Sequence, residues 1–300
     1  MISVATLIAN LPILDDTVVA RVRSTLPLPG APVWLDRGIA IDIPFTANSG
    51  NDNRVFFERV QQALSSLPVD AIIQTADKRR KRLFLADMDS TMIGQECVDE
   101  LADIVGKKRY VAAITERAMR GEIEFVPALI ERVALLAGLP SSVIDEVIAK
   151  RITLTPGGQK LVATMRAHGA HTCLVSGGFV EFTAKIAGLI GFDENYGNRL
   201  LIDNAGRLTG DVATPIFGRD AKLATLIALR ERFHLTKEET LVAGDGANDL
   251  AMILEAGLGI AYHAKPTVAA QAHARIDHSD LTALLYAQGY RREEFVGPSP

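Results

Sequence analysis

The chain is 300 residues long and 48% hydrophobic, enough to bury a full core, so disorder is excluded as the default and one large domain with a smaller companion is expected. Its formal net charge of -4 excludes a nucleic-acid partner held by bulk electrostatics and leaves room for a small anion held at a local site. The two cysteines, Cys97 and Cys173, stand far apart and suggest neither a disulfide framework nor a zinc site.

The N-terminal stretch MISVATLIANLPILDD has no basic leader and no cleavage site, and no uninterrupted apolar run reaches about 18 residues. A soluble cytoplasmic protein without a membrane partner is therefore expected. Residues 2-9, 33-45 and 69-74 read as strand-like, while 15-26 and 53-67 repeat apolar residues at helical spacing. The pattern predicts a small α+β, ferredoxin-like β-α-β-β-α-β unit over 1-80. Five consecutive cations follow in KRRKR at 78-82. In an acidic chain they read as a solvated linker rather than a phosphate or nucleic-acid patch. By element order alone, residues 1-80 resemble the small regulatory modules called ACT domains, which bind amino acids. No ligand-binding turn is recognisable, so two roles stay open: sensing serine, or a structural role that includes pairing two copies as a homodimer.

From residue 81 onward, short apolar strands alternate with helices, the signature of a Rossmann-like, doubly wound α/β domain with a parallel sheet and right-handed crossovers. Strands are predicted at 83-87, 171-175, 239-244, 258-262 and 274-277. Between the first two lies a helical insertion, about 95-152, where a single crossover helix would suffice. Its position just after a strand end suits a cap that folds over the crevice, excludes water and supplies substrate contacts. Farther on, NRLLIDNAGRLTGDV predicts a β-hairpin around Asn204, Ala205 and Gly206. The last ten residues read as a frayed tail.

The chemistry gathers at the predicted strand ends. Asp87 and Asp89, in LFLADMDST at 83-91, end an apolar strand and project into the crevice where open α/β sheets bind ligands. Two such charges about 4 Å apart repel by roughly 1 kcal/mol in water and about 4 kcal/mol at an effective dielectric of 20. A divalent cation offsets that cost. Asp245 and Asp249, in LVAGDGANDL at 241-250, end another apolar run, and the two pairs can share one hard, oxygen-loving ion, Mg²⁺. Asp87 is the candidate nucleophile, because a carboxylate can attack phosphorus to form an aspartyl phosphate. Asp89 is the candidate acid and base. Asp87, the backbone carbonyl of Asp89, and Asp245 are the expected metal ligands. Asp249 and Asn248 are expected to orient the ion's water and the lysine, with Asn248 also counted among the substrate-binding residues. Ser176, Gly177 and Gly178, in CLVSGGF at 173-179, offer a hydroxyl and unhindered N-H groups before a helix, an anion site. Lys222, opening the helix AKLATLIALRERF, supplies a cation for a transferring phosphoryl group. Within the insertion, Glu96 can pair with an ammonium and Arg132 can clamp a carboxylate, together matching a zwitterionic amino acid.

The ordered set DMDST, SGG, Lys222 and GDGAND is similar to the four motifs of haloacid dehalogenase-like phosphatases, and 83-290 resembles their phosphoserine phosphatase branch. The resemblance implies Asp87 as phosphorylated nucleophile, Asp89 as acid/base, Asp245 as metal ligand, and Ser176, Gly177 and Lys222 as phosphate holders. It further implies Met119, Phe125 and Arg132, in MRGEIEFVPALIERV, as pocket residues, and O-phospho-L-serine as substrate at the last step of serine biosynthesis. Asp89, two residues after the nucleophile, can activate water, which points to hydrolysis. A phosphatase of another small phosphorylated amino acid or alcohol, and a phospho-accepting regulatory module, stay open as alternatives. The six histidines fall in no ligand spacing, and the cysteines read as packed small hydrophobes.

Overall fold

A computed structural model describes residues 2–47, 53–65, 67–119 and 122–297. The first strand β1 (Ile2–Ala9) leads into α1 (Asp16–Arg23), β2 (Val33–Asp36), β3 (Ala40–Thr46), α2 (Asn53–Leu64) and β4 (Val69–Thr75). These strands form one antiparallel sheet in the order β2-β3-β1-β4. The strand alternation has a clear cause in packing. Ala5, Leu7 and Ala9 of β1 meet Val19, Val22, Phe56 and Val60 of the two helices. On the opposite face Ile8, with Leu35, Ala40 and Ile72, joins the core that contains Phe84, Leu284 and Tyr286. The sheet is thus buried on both sides, with the rest of the chain covering the second.

The basic run 78-82 is not a solvated linker, as its composition predicted. Arg79 donates to both oxygens of Asp42, at 2.7 and 3.0 Å, and to the carbonyl of Ala287 at 3.1 Å. Lys81 is buried and donates to the carbonyls of Lys78 and Glu238, at 2.9 and 2.7 Å. The guanidinium of Arg80 stacks 4.2 Å over Tyr290 and pairs with Glu294. Arg79 and Lys81 lie where the two sheets meet, so long-range partners replace water there, while Lys78, Arg80 and Arg82 stay exposed. Asp70 closes the same junction, accepting from the backbone N-H groups of Asp277 and Ser279 at 2.8 and 2.9 Å. The expected frayed tail is also corrected through residue 297: the N-H of Val296 donates to Thr164 Oγ1 at 2.9 Å and Arg292–Glu294 forms a turn. Residues 298-300 lie outside the described ones.

Beyond the junction come β5 (Leu83–Asp87), then α3 (Cys97–Ile104), α4 (Lys108–Met119), α5 (Phe125–Ala134) and α6 (Val143–Arg151), which make up the helical insertion. Its two ends pair with each other: Ile93 bridges Leu154, Gly94 donates to Thr153 O and Thr155 to Met92 O, both at 3.0 Å. There follow α7 (Gly158–Ala167), β6 (His171–Phe179), α8 (Val180–Ile190), β7 (Glu194–Asn198), the hairpin β8 (Leu200–Ile202) and β9 (Leu208–Val212), and α9 (Arg219–Arg232). The chain ends with β10 (Thr240–Gly244), α10 (Leu250–Glu255), β11 (Leu258–Tyr262), α11 (Pro266–Ala269), β12 (Ala274–Ile276) and α12 (Ala283–Ala287). Six strands form a parallel sheet in the order β12-β11-β10-β5-β6-β7. No helix among the described residues is long and apolar enough to cross a membrane.

Candidate active site

In that order β5 is central, its successor β6 lies on one side and β10 on the other. The crossovers therefore diverge at β5, and a crevice opens beyond the C-terminal strand ends at such a switch point. Asp87 ends β5, Ser176 lies near the end of β6, and Asp245 follows β10 directly. The topology alone brings three distant segments to one place. Just past Asp87 the backbone coils tightly over Met88–Met92, with Ser90 at φ 57°. A non-glycine residue in that region stores strain, which the surrounding contacts hold in place.

Lys222 projects from the first turn of α9 and is completely buried. Its ammonium lies 2.6 Å from Asp87 Oδ1 and 2.7 Å from Asp249 Oδ1. Burial opposes that charge, but Asp249 and Asp87 outweigh it and raise the lysine pKa. Asp87, Asp245 and Asp249 present carboxylate oxygens within 4.8 Å of one another. Burial, then the charge of Asp249, pushes the Asp87 carboxyl well above its usual range; burial, then Asp249 and Glu96, pushes Asp245 up to about 6. Three carboxylates against one ammonium leave two negative charges when all are ionised. An all-oxygen donor set with that deficit fits a hard divalent cation. Asp249 has both oxygens engaged, one by Lys222 and the other by the N-H of Gly246 at 3.1 Å, while Asn248 Nδ2 lies 3.4 Å from Asp249 Oδ1. The tight GDGAND turn needs Gly244: a Cβ there would sit 2.6 Å from Asp249 Cβ and from its carboxylate, which Lys222 and Gly246 hold in place.

Asp89 lies on the crevice side of the cluster. Its Oδ1 accepts from the N-H of Cys97 at 3.1 Å, and its Oδ2 from Ser176 Oγ at 3.4 Å. Although its side chain keeps some exposure at the crevice mouth, burial followed by the nearby charge of Glu96 pushes its pKa up to about 7. A carboxyl poised there can give and take a proton near neutrality. Glu96 directly precedes α3, is exposed, and accepts from Ser90 Oγ at 2.8 Å. Both cysteines are buried free thiols.

The strand carrying the Ser-Gly-Gly sequence runs on through Phe179, four residues past the predicted end, so the N-H groups belong to a bulged strand and not to a helix start. From the cap, the ring of Phe125 packs against this stretch: a Cβ on Gly177 would lie 3.2 Å from it, and one on Gly218 also 3.2 Å. Arg132, half-buried on the same helix α5, donates to Ala128 O at 3.2 Å and has Asp99, Glu96 and Asp89 as its charged neighbours. Met119 closes α4, and its side chain lies outside what the structure describes. A cavity of about 770 Å³ between α2, β4 and the 269–275 segment is remote from these residues; none of them lines it. Sequence reasoning missed two site neighbours. Thr91, fully buried, donates to Asp245 Oδ1 at 3.3 Å. Asn198, buried at the end of β7, bonds Gly177 O and both backbone groups of Phe217. No local pattern marks it, because its partners are set by the register between β6 and β7.

Comparison with known proteins agrees with this geometry. Residues 84–254 match the haloacid dehalogenase-like hydrolase family. The chain belongs to that family. A probable phosphoserine phosphatase of Schizosaccharomyces pombe is 41% identical over 233 residues, covering 77% of this chain and 78% of the relative. Among solved structures, a haloacid dehalogenase family hydrolase of Salmonella enterica serovar Typhi superposes with a TM-score of 0.85 at 29% identity, covering 95% of this chain and 98% of that one. A phospho-aspartyl intermediate analogue of phosphoserine phosphatase superposes with a TM-score of 0.64 at 37% identity, covering 69% and 98%. The haloacid dehalogenase-like assignment makes the chain a hydrolase and accounts for its Rossmann-like sheet, helical cap and acidic cluster.

Proposed function

We propose that this hydrolase is a Mg²⁺-dependent phosphoserine phosphatase, converting O-phospho-L-serine to L-serine and phosphate in the cytoplasm at the end of serine biosynthesis. The observation that carries the reading is the pairing of Asp87 with buried Lys222 inside a three-carboxylate cluster at the sheet's switch point. The names of the S. pombe relative and of the phospho-aspartyl analogue point the same way. We assign residues 1–80 to an ACT-like unit, 81–300 to the catalytic unit, and about 95–152 to its cap.

In this mechanism an oxygen of Asp87 attacks phosphorus while the bond to the serine oxygen breaks. Asp89 gives its proton to that departing oxygen. Water then attacks the aspartyl phosphate, Asp89 takes the water's proton, and phosphate leaves with Asp87 restored. Ser176 Oγ, the N-H of Gly177 and the Lys222 ammonium hold the phosphoryl oxygens, and Asp249 keeps the lysine aimed. Asn248 lies at the phosphate end. Asp87, Asp245 and the backbone carbonyl of Asp89 would hold Mg²⁺, which when bound neutralises charge on the phosphoryl group. From the cap, Glu96 is assigned to the substrate ammonium and Arg132 to its carboxylate, with Met119 and Phe125 as the other proposed pocket residues.

The test is inorganic phosphate released from O-phospho-L-serine with Mg²⁺. Sustained release over many turnovers supports the reading. A single stoichiometric event would mean a phospho-accepting switch instead.

A further inference from the structure

We propose that Asn198 is a positioning residue that locks the phosphate-binding bulge to the segment leading into the Lys222 helix, so that both present one rigid seat to the phosphoryl group and to the cap. The proposal rests on the function above. The pairing of β6 with β7 goes from Val175 opposite Tyr196 directly to Phe179 opposite Asn198, so β6 carries two extra residues at 176–178. Such a bulge interrupts the ladder and leaves backbone groups to be satisfied otherwise. Asn198 supplies the missing partner. Its Nδ2 donates to Gly177 O and to Phe217 O, both at 2.9 Å, and its Oδ1 accepts from the N-H of Phe217 at 2.7 Å.

The consequence reaches the reacting groups through one peptide plane. The carbonyl of Gly177 is held by Asn198, and the N-H of Gly178, on the same plane, donates to Ser176 Oγ at 2.8 Å. With that acceptance fixed, the serine hydroxyl turns its own proton toward Asp89 Oδ2, 3.4 Å away. At the other end, Gly218 follows Phe217 and accepts from the N-H of Lys222 in the first turn of α9. The Phe125 ring packs on both glycines at once, 3.2 Å from a Cβ built on either. One amide therefore holds the spacing between hydroxyl, lysine helix and cap contact.

A purely stabilising asparagine is available for comparison on the same strand: Asn195 accepts from Thr183 Oγ1 at 2.8 Å, away from the crevice. The experiment measures kcat and KM for O-phospho-L-serine, and the rise in melting midpoint produced by inorganic phosphate with Mg²⁺, in wild type, Asn198→Ala, Asn198→Asp and Asn195→Ala. Asn198→Asp keeps the acceptor for the N-H of Phe217 and loses the donor to Gly177 O and Phe217 O, a second way of releasing the bulge that leaves no cavity. Displacement of a reacting group by about 1 Å costs about 100-fold in rate, and that fall in kcat, larger than the change in KM, is expected for both Asn198 variants. The phosphate-induced midpoint rise should vanish in them and persist in Asn195→Ala, whose kcat should match wild type. Folded Asn198 variants with wild-type kcat, equal losses in Asn195→Ala, or failure of both Asn198 variants to fold would each overturn the proposal. An inactive wild type with no phosphate response would instead overturn the functional reading on which it rests.

Discussion

Lys222 and Asp87 stand 135 residues apart in sequence, and their charged atoms lie 2.6 Å apart in the crevice, with the lysine sealed from solvent. Asp249 shares the same ammonium from the other side at 2.7 Å. A buried ammonium between two carboxylates is tolerable only while both partners stay, because removing one partner of such a pair strands a charge at a cost of about 3–5 kcal/mol. The arrangement leaves the second oxygen of Asp87 without that bond and free for other chemistry.

Replacing the cation tests this directly. Lys222→Met should lose turnover and lower the melting midpoint by about 10 °C at pH 8, taking 2–4 °C per kcal/mol for a chain of this class. The drop should be smaller at pH 5, because burial and Asp249 already push the Asp87 carboxyl above its usual range and a proton can replace the missing cation. Melting curves at the two pH values check this; equal drops would contradict it.

Asp245→Asn should trade activity for stability. A carboxyl raised to about 6 in the fold binds more protons folded than unfolded, so its contribution falls as pH rises from about 4 through 6, and the cost is fully present at pH 7. The asparagine removes that repulsion. In metal-free buffer at pH 7 the variant should melt about 3 °C higher than wild type. Mg²⁺ should raise the wild-type midpoint and leave the variant's unchanged, and phosphate release should fall at least about 100-fold. A lower metal-free midpoint would contradict this account.

The cap assignment predicts selectivity, not general loss. Arg132→Ala removes a guanidinium whose bonds to a carboxylate are worth about 1.5–3 kcal/mol, so kcat/KM for phosphoserine should fall roughly 10- to 150-fold. Phosphoethanolamine, which lacks the carboxylate, should be turned over as before. Kinetics on both substrates decide, and equal losses would remove the clamp.

Lys81 sits between the two sheets, and burial, only partly countered by Glu238, lowers its pKa to about 8 from the usual 10.5. Below about pH 8 the buried charge imposes its full cost; as pH rises toward 10 the unfolded chain holds the extra proton and the folded state gains stability. Wild type should therefore gain on Lys81→Met between pH 7 and pH 10. Paired denaturant titrations measure the gap, and a flat or shrinking gap would contradict the prediction.

The elements legible in the sequence were those set by local pattern. Period-two and helical spacing located β5, β10 and the cap helices, and strand-end positions singled out Asp87, Ser176 and Asp245 because sheet topology must bring such ends together. What escaped depends on partners far away in sequence. The fate of Arg79 is decided by Asp42 and Ala287, 37 and 208 residues distant. The burial of Lys222 is decided by carboxylates 135 and 27 residues away. Asn198 was invisible because its role arises from a register shift between two strands, which no single segment encodes.

The central claim is that Asp87 captures the phosphoryl group, and chemical trapping tests it most directly. The enzyme is mixed with O-phospho-L-serine and Mg²⁺, quenched with borohydride, which reduces an aspartyl phosphate to homoserine, and digested for mass spectrometry. The account predicts homoserine at position 87, dependent on substrate, and none in Asp87→Asn, which should also release no phosphate. Homoserine at another aspartate, or an Asp87→Asn variant that turns over at a near wild-type rate, would contradict it.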